Sequence, residues 1–498
     1  MPEPAVEEYI LLPERGLRAR FEDRRAFEVL VSMGAARSTE SALESALPET
    51  AGAPVRVIDS VHEDGPKLVQ LDPRAALAMR GSGAGLRLEP IRHYQTAVPA
   101  AFAPEPGPQA VSGPPLLVRV VDAATRAPLA GVEVTAFSDF ARNLGAKDVT
   151  DANGEARLAL GGAPAPVERL YVSPPPSGFW GAYRANTVLG PAQEMGLRAI
   201  DFSAGDGLRH FYGAPSPADG AGVKVGVLDT GIDRNHPHLV VHDGRNTARG
   251  EPRGDFGDNG MGHGTHVAGI IAARGAPPQG LSGLAPAVTL YSFRVFGRDK
   301  RVTTNYEVVK AIIFAVEEGC DLLNLSLGGL PPDEVIRDAI LDAGDQGVLV
   351  IASAGNDNRQ PVARPASYVP ALAVSAFGRR GSFPPGSYEE GYVDTNPAGA
   401  DPADFMASFT NIGRDVFLTA PGVGILSTVP GGGYAPMSGT SMACPVVTGY
   451  AARLLGANPG VLVMPRDAQR TRAITTLLSQ NAVSLGFPLD FEGFGRPK

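Results

Sequence analysis

The sequence predicts an α/β protein: a parallel sheet with helices on both faces, preceded by a small α+β unit and a small β-sandwich. Three observations lead there. From about Gly196 onward, runs that are almost wholly apolar, such as "VKVGVLD", "CDLLNLSL" and "VLVIASAGN", alternate with helix-period stretches such as "NYEVVKAIIFAVEEG". Strands apolar on both sides need cover on both faces, and crossover helices supply it in parallel sheets. Up to about Tyr94 the pattern reads strand, helix, strand, strand, helix, strand, and between these regions apolar residues recur at every second position between turn residues.

Taken in order, "YILLP" predicts the first strand, Arg24 to Met33 a helix, "VRVIDSV" and "KLVQL" two strands, "DPRAALAMRG" a helix and "LRLEPI" a strand. That βαββαβ order is the ferredoxin-like split motif, assigned to residues 1–96. The Pro/Ala-rich "TAVPAAFAPEPGPQAVSGPP" predicts an extended linker over 97–114. "LLVRVVDAATRAPLAGVEVTAF" and "DVTDANGEARLAL", with a tight turn at 151–154, predict a sandwich over 115–185. Residues 196–498 are assigned to the parallel-sheet unit, with ligands expected at the carboxyl ends of its strands.

Composition narrows the function. A chain of 498 residues is too long for one ordinary core, and a net charge of −9 without a long Lys/Arg cluster argues against nucleic acid as a partner. Cys320 and Cys444 lie in apolar segments and are expected as buried free thiols. The acidic N-terminus lacks the basic head and apolar middle of a signal peptide, and runs such as "AIIFAV" are too short to span a bilayer. The expected compartment is the cytoplasm, with unconventional export or a different start codon as the alternative.

One stretch, "SGTSMACP", places Ser441 where a loop turns into a helix. A helix cap would suit a serine there, and a nucleophile would too, provided that a base and an acid lie elsewhere. Asp229 stands after the strand "VKVGVL", where an Asx turn is the ordinary reading. His263 and His266 lie in "GHGTHVAG"; the second falls one turn into a helix and reads as structural. Their spacing of three, with no third ligand nearby, makes a metal site the weaker reading. All eight histidines lie at or before His266, so any base for Ser441 precedes it in the chain. That excludes the order with histidine last and leaves Asp229, His263, Ser441.

"VLDTGID", "GHGTHVAG" and "GTSMACP" resemble the three signature blocks of the subtilisin-like serine proteases. The resemblance implies a serine endopeptidase in which Asp229 orients His263, His263 takes the proton of Ser441, and Ser441 attacks the scissile carbonyl. It makes Asn356, in "AGN", the side-chain donor of an oxyanion hole beside the backbone N–H of Ser441. It also assigns substrate binding to Asn324, Leu325, Ser326, Leu327, Gly328 and Gly329, and to Ser353 and Gly355. The N-terminal part resembles the family's inhibitory propeptides, with "LRLEPIRHY" as the tail in the cleft, so an autoprocessed zymogen cut between Tyr94 and Ser112 is expected. The sandwich resembles transthyretin-like or carboxypeptidase-regulatory-like modules at 128–134 and 150–155.

Departures from the family carry expectations too. "NHPHL" has His238 where a calcium ligand is common, so no cofactor is predicted and the strong calcium site is expected to be missing, with another calcium site left open. Residues 378–407 read as an inserted surface loop that affects substrate access. Expected partners are protein or peptide substrates and the chain's own N-terminal domain, with no nucleic acid and no membrane span. The rival readings are a catalytically idle peptide-binding scaffold and an enzyme tethered to a protein or glycan by its β-module.

Overall fold

The computed structural model describes residues 7–20, 22–35, 55–81, 83–97, 106–108, 113–175, 177–329 and 331–498. The N-terminal elements follow the predicted order: β1 (Glu7–Pro13), α1 (Arg24–Ala35), β2 (Val55–Ser60), β3 (Lys67–Leu71), α2 (Pro73–Gly81) and β4 (Leu86–Pro90). They form an antiparallel sheet of order β2-β3-β1-β4, the ferredoxin-like arrangement. Because successive strand residues point to opposite faces, Leu11, Val69 and Leu71 pack on Leu30 and Met33 of α1 and on Ala75 and Met79 of α2. Ile10, Leu12 and Leu68 point the other way and join the core of the large α/β unit. "LRLEP" is therefore the last strand of this sheet, and only the residues after Pro90 leave it. They form β5 (His93–Thr96), which pairs elsewhere.

Most of the predicted linker, 98–105 and 109–112, lies outside the described residues. Its Gly107–Pro108 forms a short strand, β6, parallel to the third strand of the sandwich. The sandwich comprises β7 (Leu116–Asp122), β8 (Glu133–Asp139), β9 (Leu144–Val149), β10 (Glu155–Leu158), β11 (Ala165–Ser173), β12 (Ala182–Leu189) and β13 (Ala192–Leu197). Its sheets have orders β10-β7-β13 and β12-β11-β8-β9-β6. The turn at 151–154 is an Asx turn: Asp151 Oδ1 accepts from the N–H groups of Asn153 and Glu155 at 2.8 and 3.0 Å. The sandwich runs through Leu197, past residue 185, because β13 pairs with β7 and buries Met195 and Leu197 in the shared core. "AQEMGL" has few β-branched residues to announce that strand.

After α3 (Gly207–Tyr212) come β14 (Lys224–Asp229), β15 (Val241–Asn246), α4 (His263–Ala272), β16 (Thr289–Arg294), β17 (Val302–Thr304), α5 (Asn305–Glu317), β18 (Leu322–Leu325), β19 (Leu327–Gly328), α6 (Glu334–Asp345), β20 (Leu349–Ser353) and β21 (Leu372–Arg379). β22 (Val393–Ala398), β23 (Asp404–Ala407), β24 (Val416–Pro421), β25 (Ile425–Val429), β26 (Gly433–Met437), α7 (Thr440–Ala457) and α8 (Ala468–Gln480) follow. Among the described residues the main sheet has nine strands; β15, β16, β14, β18, β20, β21 and β24 run parallel. Alternate residues serve two cores: Leu349 and Ile351 face α4 and α7, while Val350 and Ala352 face α5 and α6. That is why these strands read as unbroken apolar runs.

The 378–407 segment is not a loop. β22 and β23 form an antiparallel hairpin on the sheet edge, led by a 3₁₀ turn at Tyr388–Tyr392. Tyr392 and Phe405 are buried, and the Pro/Gly residues fall mainly in the turns before the 3₁₀ segment, at Pro397 in β22 and in the connection to β23.

Candidate active site

Asp229 ends β14 and is wholly buried. Its Oδ1 lies 2.7 Å from His263 Nδ1 and 2.7 Å from the Thr230 N–H. His263 is the first residue of α4, and Gly264 beside it allows the approach: a Cβ there would lie 2.3 Å from Gly231 O and 3.1 Å from Asp229 Cβ. His263 Nε2 is buried without a hydrogen-bond partner. The loop that delivers this helix is tied by Asp258, which accepts from the N–H groups of Gly260 and Gly262 and from Thr265 Oγ1 at 2.8, 3.0 and 2.7 Å. Burial raises the Asp258 carboxyl above the usual range.

Ser441 is not the cap of α7. That position belongs to Gly439, whose φ of 150° suits glycine, and Ser441 falls inside the first turn with its side chain free for other contacts. Its Oγ donates to the Ala97 carbonyl at 2.6 Å, and Asn356 Nδ2 donates to the same oxygen at 2.5 Å. The Ser441 N–H, named from sequence as the second oxyanion donor, makes no hydrogen bond to that oxygen. Asn356 is aimed by a residue that sequence reasoning missed: its Oδ1 accepts from Thr440 N and Thr440 Oγ1 at 2.9 and 3.0 Å. Thr440 Oγ1 in turn accepts from the Gly355 N–H at 3.2 Å. The only signal for Thr440 was its place next to Ser441 in "GTSMA".

Ala97 is brought here by β5, which lies antiparallel between β17 and β19: Gln95 pairs with Val302 and Gly328, and Thr96 with Leu327. The Ala97 N–H donates to Ser326 O at 3.3 Å. Tyr94 is buried against Gly329, with its hydroxyl 3.2 Å from Asp333 Oδ2. Of the residues assigned to substrate binding, Ser326, Leu327, Gly328 and Gly329 therefore line this groove. Asn324 and Leu325 do not: they belong to β18, where Asn324 is fully buried and bonded to Ser326, Cys444 and Thr448 at 2.9, 3.2 and 2.9 Å. Ser353 ends β20, buried, with no hydrogen-bond partner for its Oγ.

His266 is structural in its contacts. Its Nε2 donates to the carbonyls of Ile425 and Ala435 at 3.0 and 3.1 Å, and burial lowers its pKa to about 3. His238 Nδ1 shares a 2.7 Å hydrogen bond with the Tyr434 hydroxyl. Among the described residues no three His, Cys, Asp or Glu side chains converge as a metal would require, and no helix is long and apolar enough to cross a membrane. Both cysteines are buried and free, with burial raising their thiol pKa values.

Comparison with known proteins agrees with this arrangement. The profile described as Subtilase family matches residues 220–495. Subtilisin BL of Lederbergia lenta is 38% identical over 240 residues, 48% of this chain and 78% of that protein. Subtilisin DY of Bacillus licheniformis is 36% identical over 271 residues, 54% of this chain and 86% of that one. The thermophilic serine proteinase of Bacillus sp. (strain AK1) is 37% identical over 240 residues, 52% of its own length. A parallel sheet with Asp229, His263 and Ser441 gathered at its carboxyl edge, and a match of this extent, make the chain a member of the subtilase family of serine endopeptidases.

Proposed function

We propose that the chain is made as a self-inhibited precursor that cuts its own Ala97–Val98 bond, with Ser441 as nucleophile, His263 as general base and Asp229 as the group that orients it. The observation that carries this reading is the Ala97 carbonyl oxygen, 2.6 Å from Ser441 Oγ and 2.5 Å from Asn356 Nδ2 at the end of a strand laid in the groove. Of these two, Asn356 Nδ2 is the donor that polarises the oxygen and stabilises the charge that grows there, while Ser441 Oγ is the atom that attacks. In the resting arrangement the Oγ proton points at that oxygen, and His263 Nε2 is unpartnered.

Turning the hydroxyl toward Nε2 frees an Oγ lone pair for the carbonyl carbon. The Oγ–C bond forms as His263 takes the proton. The proton then passes to the Val98 nitrogen as the C–N bond breaks, and water repeats the sequence to release the acyl group. Asp229 Oδ1 on Nδ1 keeps Nε2 as the accepting nitrogen. After the cut, β5 remains paired on both edges, Tyr94 remains buried, and the N-terminal unit acts as an inhibitor by occupying the groove as a product.

Intact mass and N-terminal sequencing of the wild-type chain and of Ser441→Ala test this. The expected result is a new N-terminus at Val98 in the wild type alone, with the sandwich still attached to the catalytic unit. A full-length wild-type chain that hydrolyses peptides without being cut would overturn the precursor reading.

A further inference from the structure

The sandwich and the 378–407 segment meet beside the catalytic histidine. Pro175 and Phe179 from the sandwich, Tyr388 and Glu389 from the segment, and Ser438, three residues ahead of the nucleophile, enclose a cavity of about 230 Å³ that opens onto His263. One water needs only about 10–15 Å³ by the same measure, so the space takes one long side chain. β17 and β19 flank the bound strand only as far as Thr96, which sits at one edge of the cavity. Ser438 and the two added parts supply most of the rest of its lining.

The cavity is mostly apolar and holds one carboxylate. Glu389 is only 2% exposed, and its Oε2 has no hydrogen-bond partner. Burial pushes its carboxyl up to about 7, partly offset by the hydroxyls of Ser387 and Ser438. A buried carboxylate with no cation beside it and one oxygen unpartnered is costly, and a cation brought to it relieves that cost. The exposed Arg301, whose carbonyl accepts the Thr96 N–H at 3.4 Å, also lines the cavity and disfavours a cation beside Thr96.

Building on the assignment of Ser441 and Ala97 above, we propose that this cavity receives the side chain of the first or second substrate residue after the scissile bond, and that Glu389 selects lysine or arginine there. Only these side chains combine a long apolar stem, which suits the Pro and Phe walls, with donors at the tip that can reach the carboxylate. The β-module is then part of the enzyme's specificity, acting at the leaving-group side.

Internally quenched peptides that share their residues before the scissile bond and carry Lys, Arg, Leu or Glu at the first or second position after it test the proposal. Wild-type kcat/KM should favour Lys or Arg over Leu by about tenfold or more, with Glu poorest, and Glu389→Gln should bring the Lys-to-Leu ratio within about threefold. Equal wild-type rates, a basic preference that survives Glu389→Gln, or a basic preference lying before the scissile bond would overturn it. The wild-type profile decides the first and third outcomes even if the variant does not fold. A peptide p-nitroanilide, which has no amino acid after the scissile bond, separates the two readings. Ser441-dependent hydrolysis of it without any preference among the quenched peptides refutes the cavity assignment alone, whereas hydrolysis that persists in Ser441→Ala refutes the assignment of the nucleophile.

Discussion

Pro445 lies four residues after Ser441 inside α7 and has no N–H to offer the Ser441 carbonyl. That oxygen accepts instead from Ser326 Oγ at 2.9 Å, and Ser326 Oγ accepts from Asn324 Nδ2 at 2.9 Å. A proline in the nucleophile's own helix thus ties that helix to the groove. Ser326→Ala strands a buried carbonyl and should cost about 1–3 kcal/mol, measured by urea unfolding in a Ser441→Ala background that prevents autolysis. Asn356→Ala should lower kcat about a hundred- to thousandfold with little change in KM, a magnitude taken over from subtilisin, the worked case for such a donor.

Two buried groups set opposite pH trends. For His266 the folded pKa of about 3 lies below the ordinary 6.5, so the unfolded chain binds more protons between them and stability is lost as pH falls through that window. For Glu389 the folded value of about 7 lies above 4.5, so its contribution is present below 4.5 and lost as pH rises toward 7. Glu389→Gln, again with Ser441→Ala, should therefore gain stability over the parent from pH 4.5 to 7, by on the order of a few kcal/mol, in urea titrations across that range. A constant difference across that range would refute this account of Glu389.

At the scale of elements, β5 depends on anchors beyond its backbone pairs. Asn305, at the start of α5, donates from Nδ2 to Pro90 O and accepts the Arg92 N–H on Oδ1, both at 3.1 Å. Tyr94 fills a buried site between Gly329 and Asp333. Tyr94→Ala removes that anchor at a cost of about 3 kcal/mol, enough to weaken the hold of the cut N-terminal unit roughly a hundredfold. On the precursor reading proposed above, the lag before peptide hydrolysis should shorten accordingly; an unchanged lag would show that Tyr94 does not hold the N-terminal unit in place. The unit's other contacts include the ion pairs Lys310 to Asp59 and Arg87 to Asp338, which are largely shielded from solvent, and the more exposed Arg249 to Glu8. Added salt should screen the last of these first.

On the scale of the molecule, the sandwich is built into the catalytic unit. Ser173 Oγ lies 2.6 Å from Tyr388 OH, the Tyr183 N–H donates to Gly386 O at 3.0 Å, and Trp180 packs with Leu281, Leu426 and Tyr434. Gly181 faces Tyr388 so closely that a Cβ would sit 2.1 Å from the ring. Gly181→Ala must push the two parts apart and should destabilise the chain by about 1–3 kcal/mol, seen as a lower urea midpoint for Ser441→Ala/Gly181→Ala. If the midpoint is unchanged, the sandwich is a loosely attached appendage.

The sequence by itself determined the βαββαβ order, the parallel sheet and the trio Asp229, His263 and Ser441, because periodicity and short motifs are local and each strand or loop carries its own signal. Asn356 was legible only through the resemblance of "AGN" to the family's block, since an asparagine after a strand is otherwise an ordinary turn residue. What only the tertiary structure decided is how distant segments meet. Nothing local in "NLSLGG" separates Asn324, turned into the core, from Gly328, which pairs with the bound strand. Nothing near Ala97 marks it as the residue whose carbonyl reaches Ser441, 344 positions away. The 378–407 segment misled because its Pro/Gly turns resemble a loop, while Tyr388 finds its partners in the sandwich and Tyr392 packs on Phe409 of the catalytic unit. Pairings across such separations depend on the packing of whole sheets, which fixes where a strand ends in space and which side chains converge there.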